Sequence, residues 1–289
     1  MRRLALGTAQ FGMTYGIANQ TGQVSRSVAK AMLRLAAANR IDTLDTAIAY
    51  GESETCLGEA GIPGFKLVTK LPVVPDGCAN IGDWVQEQMS ASLSRLGVGA
   101  IYGLLLHRPQ QLLGAEGKAI YQSLQGLKER GQIQKLGVSV YAPSELELLV
   151  PRYRFDLVQA PFNLVDRRLH ATGWLQRLKD GGVEIHTRSA FLQGLLLMSP
   201  AIIPDQFASW SHLWSKWHSW LARNTTSAVQ GCLAYPLSFP EIDRVVVGAD
   251  SVSQLEQIID AANRVAPVEL PDLHCDAENL INPADWCRS

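Results

Sequence analysis

No uncharged apolar run in the 289 residues approaches the roughly 18 needed to cross a bilayer. Behind Met1-Arg2-Arg3 the apolar stretch is only Leu4-Ala5-Leu6 before Gly7 and Thr8, too short for a secretory signal core. An excess of one charge is missing too. Lysine and arginine number 26 against 27 aspartates and glutamates, for a net charge of -1, which removes the bulk basic face that drives nucleic-acid or anionic-membrane binding. Cysteine is sparse and unpatterned: Cys56, Cys78, Cys232, Cys275 and Cys287 form no C-x-x-C pair and no histidine grouping of zinc-ligand spacing, so they read as free thiols and no metal is expected. A G-x-G-x-x-G loop after the first apolar run is also lacking, which argues against an open doubly wound dinucleotide sheet. These absences leave a cytoplasmic protein, monomeric or a small homo-oligomer, with a small-molecule partner and neither nucleic acid nor membrane.

With 47% hydrophobic and 18% charged residues, the chain is too apolar for disorder and long enough to bury a large core. Short apolar or β-branched runs alternate with stretches of helical spacing. The runs are Arg3–Leu6, Thr43–Asp45, Lys66–Thr69, Ile101–Leu106, Lys135–Val140, Asp156–Ala160, Val183–His186 and Arg244–Val247. Helical patterns fall between them: Ser25 caps one running to Asn39, others cover Glu54–Ala60, Asp83–Leu96, Lys118–Arg130 and Leu169–Lys179, Pro143-Ser144 opens a short one, and Val252–Ala262 follows the last run. Eight βα units close naturally into an α/β structure, a (β/α)8 TIM barrel, here a single domain over residues 1–289. An insertion at about 199–230 separates strands seven and eight. It carries Trp210, Trp214, Trp217 and Trp220, whose spacing places them on one helix face. That face either packs on the barrel or walls a substrate pocket with Phe11, Tyr15 and Phe162.

In such a barrel the chemistry sits at the C-terminal ends of the strands. Asp45 ends the second run, Tyr50 follows in its loop, Lys70 ends the third and His107 the fourth. Each alone has a structural alternative: a helix cap, a rim aromatic, a surface lysine, a core histidine. Together on three neighbouring strands they form a proton-donating group. A nearby ammonium would bring the tyrosine pKa down from its usual value near 10, a carboxylate would keep that lysine charged, and a histidine would orient the substrate oxygen. A Schiff-base role for Lys70 would need it neutral, which Asp45 opposes.

At these residues the sequence resembles the aldo-keto reductases. The segment Asp45-Thr46-Ala47-Ile48-Ala49-Tyr50-Gly51, with Ser53-Glu54 trailing, matches that family's pattern, and Val68-Thr69-Lys70, Leu105-Leu106-His107-Arg108-Pro109, Leu136–Ser139, Gln159–Leu164 and Gly248–Gln257 follow in order. The resemblance implies reversible carbonyl reduction with NADPH, NADH being the alternative coenzyme. Tyr50 would be the general acid, Lys70 and Asp45 its tuning pair, and His107 the carbonyl-orienting group. It also implies a coenzyme site made of Gly7, Thr8, Ser139, Gln159, Arg188, Ser189, Phe191, Gln193, Gly194, Gly248, Asp250, Gln254 and Gln257. In that site Ser139 and Gln159 would hold the carboxamide, the loop from Arg188 would cover the pyrophosphate, and Gly248–Gln257 would meet the adenosine end.

Some positions depart from the family pattern. Val140 stands where many members have Asn, Arg188 where an aromatic ring commonly stacks, and Asp250 and Ile258 replace usual adenosine contacts. The opening Leu6-Gly7-Thr8-Ala9-Gln10-Phe11-Gly12 with Tyr15-Gly16-Ile17-Ala18-Asn19 is similar to a bacterial branch often tied to sugar modification, which points to a sugar-derived carbonyl. The departures leave a second reading, a coenzyme-binding redox sensor with little turnover.

Overall fold

The computed structural model describes residues 3–264 and 269–288. Eight parallel strands close in sequence order into a barrel: β1 (Leu4–Gly7), β2 (Thr43–Asp45), β3 (Lys66–Leu71), β4 (Ile101–Leu106), β5 (Ile133–Ser139), β6 (Leu157–Pro161), β7 (Glu184–Arg188) and β8 (Arg244–Val247). The register places Gly7 beside Asp45, and Leu4 beside Val245 where the barrel closes. The strands are largely buried, since their outer faces are covered by helices and their inner faces by the barrel interior, and their polar residues gather toward the two ends of the barrel.

Helices over Arg26–Ala38, Ser53–Ala60, Ile81–Leu96, Gly117–Glu129, Pro143–Leu149, Ala228–Leu237 and Val252–Asn263 lie between or after the strands. Ser25 caps the first, its Oγ accepting from Val28 N, and Pro143 opens the fifth. The main core lies between strands and helices, where Leu4, Leu6, Leu44, Met32, Met89 and Leu124 are buried. Val68, Leu105 and Leu157 form a separate small cluster. Gly137 is required beside it: a Cβ there would stand 2.1 Å from Leu157 O and 2.6 Å from Leu105 Cδ2.

Two expectations change. The helix expected over Leu169–Lys179 is two helices, Arg168–Ala171 and Trp174–Asp180, because Gly173 between them takes φ 76°. Such a left-handed residue ends one helix rather than continuing it. The tryptophans pack, the first of the two readings, but three of the four rather than all of them share a helix. Trp214, Trp217 and Trp220 lie buried on a helix over Ser211–Asn224, and their Nε1 groups donate to Phe207 O, Leu196 O and Glu269 O at 3.0, 2.9 and 3.0 Å. Trp217 and Trp220 stack with ring centres 5.6 Å apart, while Trp210, ahead of the helix, is half-buried against Phe207. Phe11 and Phe162 are likewise buried in the core. Cys56, Cys78, Cys232 and Cys275 are free thiols, and the Cys287 side chain lies outside the described residues. Among the described residues no helix is long and apolar enough to cross a membrane.

Candidate active site

Asp45 ends β2 and Lys70 lies next to last in β3, so the parallel register brings a carboxylate and an ammonium together inside the C-terminal mouth. Lys70 Nζ donates to Asp45 Oδ2 at 2.6 Å and to Thr46 O at 2.8 Å, with both side chains buried. The other oxygen of Asp45 accepts from Gln159 Nε2 at 2.6 Å, and Gln159 Oε1 accepts from Ser139 Oγ at 3.2 Å. A chain of hydrogen bonds therefore crosses the barrel from β5 through β6 and β2 to β3. Each buried polar group in it has a partner, as the low dielectric of an interior demands.

Tyr50 is carried by the loop after β2, and two glycines hold that loop against the chain following β1. A Cβ on Gly12 would meet Tyr50 O at 1.8 Å, and Gly51, at φ 54°, would put its own 2.3 Å from Gly12 O. No larger residue fits either place. The Tyr50 ring lies edge-on to His107, with centres 5.8 Å apart and planes at 80°, and Lys70 Nζ is 5.0 Å from the Tyr50 ring centre. Among the described residues no protein group hydrogen-bonds to Tyr50 Oη or to the His107 ring.

The electrostatics differ from expectation at Tyr50. Burial first, then the neighbouring Asp45 carboxylate, push its phenol well above the usual tyrosine value, and Arg188 opposes this only in part. From the sequence, Lys70 is expected to lower it. The ammonium is instead engaged by Asp45 and Thr46, so it favours phenolate too little to offset desolvation. His107 goes down, to about 4, through burial and the positive charges of Lys70 and Arg188, so its ring is neutral at pH 7.

Beside this group opens a cavity of about 430 Å³, within the range of small-molecule sites. Asp45, Tyr50, Gly7 and Thr8 line one end, Arg188 at the end of β7 and Ser189, Phe191, Gln193 and Gly194 in the loop after it the middle, and Gly248, Asp250, Gln254 and Gln257 the end after β8. Ser189, Leu192 and Gln193 all take positive φ, at 63°, 48° and 52°, a strained course of the kind that clusters at ligand sites. Ser139 and Gln159 do not line the cavity: they are buried behind it, bonded to one another and to Asp45. Lys70, too, is absent from the wall.

Sequence reasoning missed Gln10, Ala18, Asn19 and Val229 as lining residues. The stretch from Gly16 to Asn19 passes over the cavity, where Ala18 N donates to Gln193 O at 3.4 Å and Asn19 Nδ2 to Asp250 Oδ1 at 3.0 Å. The Tyr15–Asn19 motif held the signal, but nothing in one strand-end loop announces its partners on two others.

Comparison with known proteins agrees with this geometry. The Aldo/keto reductase family model matches residues 3–269. The chain is 26% identical over 289 aligned residues to the uncharacterized oxidoreductase YqkF of Bacillus subtilis (strain 168), covering 91% of this chain and 92% of that one. Its fold is similar to the holo form of aldo-keto reductase AKR11C1 from Bacillus halodurans, with a TM-score of 0.73, 19% identity and coverage of 92% and 88%. The apo form of that protein gives 0.69 at 19% identity, covering 94% and 89%. A barrel closed in this order, this quartet at its mouth and a family match over nearly the whole chain lead to one conclusion: the protein is an oxidoreductase of the aldo/keto reductase family.

Proposed function

We propose that the protein reduces an aldehyde or ketone to the alcohol, with NADPH as coenzyme, NADH as the alternative, and Tyr50 as the general acid. The observation that carries this reading is the open pair Tyr50 and His107, without a protein hydrogen bond among the described residues, set beside the buried Lys70–Asp45 pair with Tyr50 on the cavity wall. The reduced nicotinamide, when bound, supplies hydride to the carbonyl carbon.

This chain's residues supply the rest. The neutral His107 donates a hydrogen bond to the carbonyl oxygen and turns it toward Tyr50. Tyr50 then gives that oxygen a proton as negative charge develops there. A phenol held protonated suits this direction, since an alkoxide is a far stronger base than any phenolate. Lys70, held by Asp45 and Thr46, sets positive charge beside the ring that loses the proton, and Gln159 and Ser139 fix Asp45 in turn. Because Lys70 is 1% exposed and paired, a Schiff base at its amine finds no support.

The cavity suits an extended dinucleotide. Ser189, Gln193 and Gly194 would hold the pyrophosphate, and Gly248, Asp250, Gln254 and Gln257 the adenosine end, beside the first turn of the helix Val252–Asn263. At that end the charged lining residue is Asp250, whose carboxylate accepts from Asn19 and is raised from its usual value mainly by burial. A carboxylate facing a 2′-phosphate opposes it by about 1 kcal/mol at 4 Å in bulk water and more in a protein. NADPH and NADH are therefore weakly discriminated. The test is oxidation of each coenzyme with a panel of aliphatic, aromatic and sugar-derived carbonyls, sugar-derived ones first. Alcohol formed in step with coenzyme loss supports the reading. Tight coenzyme binding with no turnover on any carbonyl supports the sensor instead.

A further inference from the structure

The mouth of this site holds positive charge that the protein leaves without a counter-ion. Arg188 is half-buried on the cavity wall, and its guanidinium donates to Val140 O at 3.1 Å and to Ser189 Oγ at 3.3 Å, both neutral acceptors. Its Cζ is 4.7 Å from the ring centre of Tyr141, and the Cζ of Arg108 is 4.6 Å from the same centre. Arg108 directly follows His107 and is exposed. Among the described residues neither arginine has a carboxylate within 4.0 Å, whereas the partly buried Arg95, Arg168 and Arg244 face Glu54, Asp166 and Asp42. The two acids on the cavity wall are already engaged, Asp45 by Lys70 and Asp250 by Asn19.

Two guanidinium groups within 4.7 Å of one tyrosine ring centre make a cationic platform, held to the ring by cation–π attraction and keeping N–H donors available. Those donors match the planar oxygen pairs of a carboxylate or the oxygens of a phosphate. The platform adjoins the carbonyl-orienting histidine, where substrate and not only coenzyme must sit, and both arginines add to the positive potential felt at His107.

We propose that Arg108 and Arg188, joined through Tyr141, form an anion subsite, and that the substrate is a small carbonyl compound bearing a carboxylate or a phosphate. This rests on the carbonyl-reducing reading above and narrows it to a substrate class. Such a substrate places its carbonyl oxygen at Tyr50 and His107 and its anionic group on the guanidinium platform, which fixes both ends of a short molecule.

The test compares matched pairs in the coenzyme-loaded protein: an aldehyde carboxylate against its methyl ester, and an aldose phosphate against the free aldose. The anionic member of one pair is expected to have a kcat/KM about ten- to a hundredfold higher, the worth of charge-assisted hydrogen bonds. Which pair responds identifies the group as carboxylate or phosphate. Arg108→Gln is expected to shrink that ratio mainly through KM, and Arg108→Lys to restore part of it. Calorimetric binding of the corresponding hydroxy acid or alditol phosphate to wild type and Arg108→Gln gives a readout without turnover. Equal kcat/KM within both pairs, or an unchanged ratio in Arg108→Gln, overturns the subsite and leaves carbonyl reduction standing. No turnover on any carbonyl, with anion binding still dependent on Arg108, would overturn the reduction and leave the subsite.

Discussion

Toward the N-terminal end of the barrel, Glu184 of β7 accepts from Tyr102 Oη at 2.6 Å and His186 Nε2 at 2.7 Å, and pairs with Lys135. At the C-terminal end Asp45 pairs with Lys70, and Tyr50 and His107 stand beside them. A carboxylate, a lysine, a tyrosine and a histidine thus occur at both ends. They differ in how the tyrosine and histidine are bonded: Tyr102 and His186 are bonded to their carboxylate, whereas Tyr50 Oη and the His107 ring have no protein hydrogen-bond partner among the described residues. Residue type alone does not make a site. A quartet whose tyrosine, histidine and lysine all bond to its own carboxylate ties strands together, and one left open beside a cavity is free, in the proposed reaction, to hold and protonate a substrate.

Exchanging phenol for benzene at each end gives the largest contrast. Tyr50→Phe is predicted to lower kcat by about 10² to 10⁴, the usual worth of general acid catalysis, with coenzyme Kd little changed. Tyr102→Phe is predicted to keep kcat and to lose about 1.5 to 3 kcal/mol of stability, because a bond to a charged carboxylate disappears. Kinetics and denaturant unfolding on the same two proteins check both, and a Tyr102→Phe enzyme as inactive as Tyr50→Phe would break the comparison.

The rule extends to Trp217, whose N–H is already bonded to Leu196 O. Trp217→Ala is predicted to cost about 3 to 5 kcal/mol of stability while leaving the ranking of substrates unchanged. A changed ranking at unchanged melting temperature would return the aromatic stripe to the pocket.

Acid should separate the two ends. The His107 base is lowered from 6.5 to about 4, so the unfolded chain binds a proton that the folded one refuses, and stability falls as pH drops from 6.5 toward 4. Burial alone would raise the Glu184 carboxyl, but hydrogen bonds from His186, Lys135 and Tyr102 hold it well below its usual 4.5. Its contribution is therefore present above pH 4.5 and lost as pH falls further. Melting temperature against pH is predicted to show two acid limbs, His107→Gln removing the upper and Tyr102→Phe weakening the lower.

The smallest effect concerns the far end of the cavity. Asp250→Ser is predicted to tighten NADPH by a few-fold to about tenfold with little change for NADH, since only NADPH carries the 2′-phosphate. Fluorescence titration of both coenzymes reads it, and equal shifts would place Asp250 away from that phosphate.

Much of this was legible in the sequence. Hydrophobic alternation located all eight strands to within about two residues, because every strand of a closed parallel barrel is buried on both faces. The quartet Asp45, Tyr50, Lys70 and His107 was legible because strand ends converge on one mouth. The direction of the Tyr50 shift was not, since it depends on how deeply the ring is buried and on which neighbour holds the Lys70 ammonium. Nor could the bond from Gln159 to Asp45 be read, as it joins residues 114 apart in sequence. The tryptophan spacing marked a helix face, occupied by Trp214, Trp217 and Trp220 with Trp210 ahead of it, without saying what covers it.

In the proposed reaction the open tyrosine protonates a carbonyl oxygen as hydride reaches its carbon. A single turnover of protein loaded with coenzyme deuterated at the transferred position, run with the best carbonyl substrate, tests it most directly. Deuterium is predicted on the carbinol carbon of the product, appearing at least about a hundredfold more slowly in Tyr50→Phe. Product without deuterium, or equal rates in the two proteins, would contradict it.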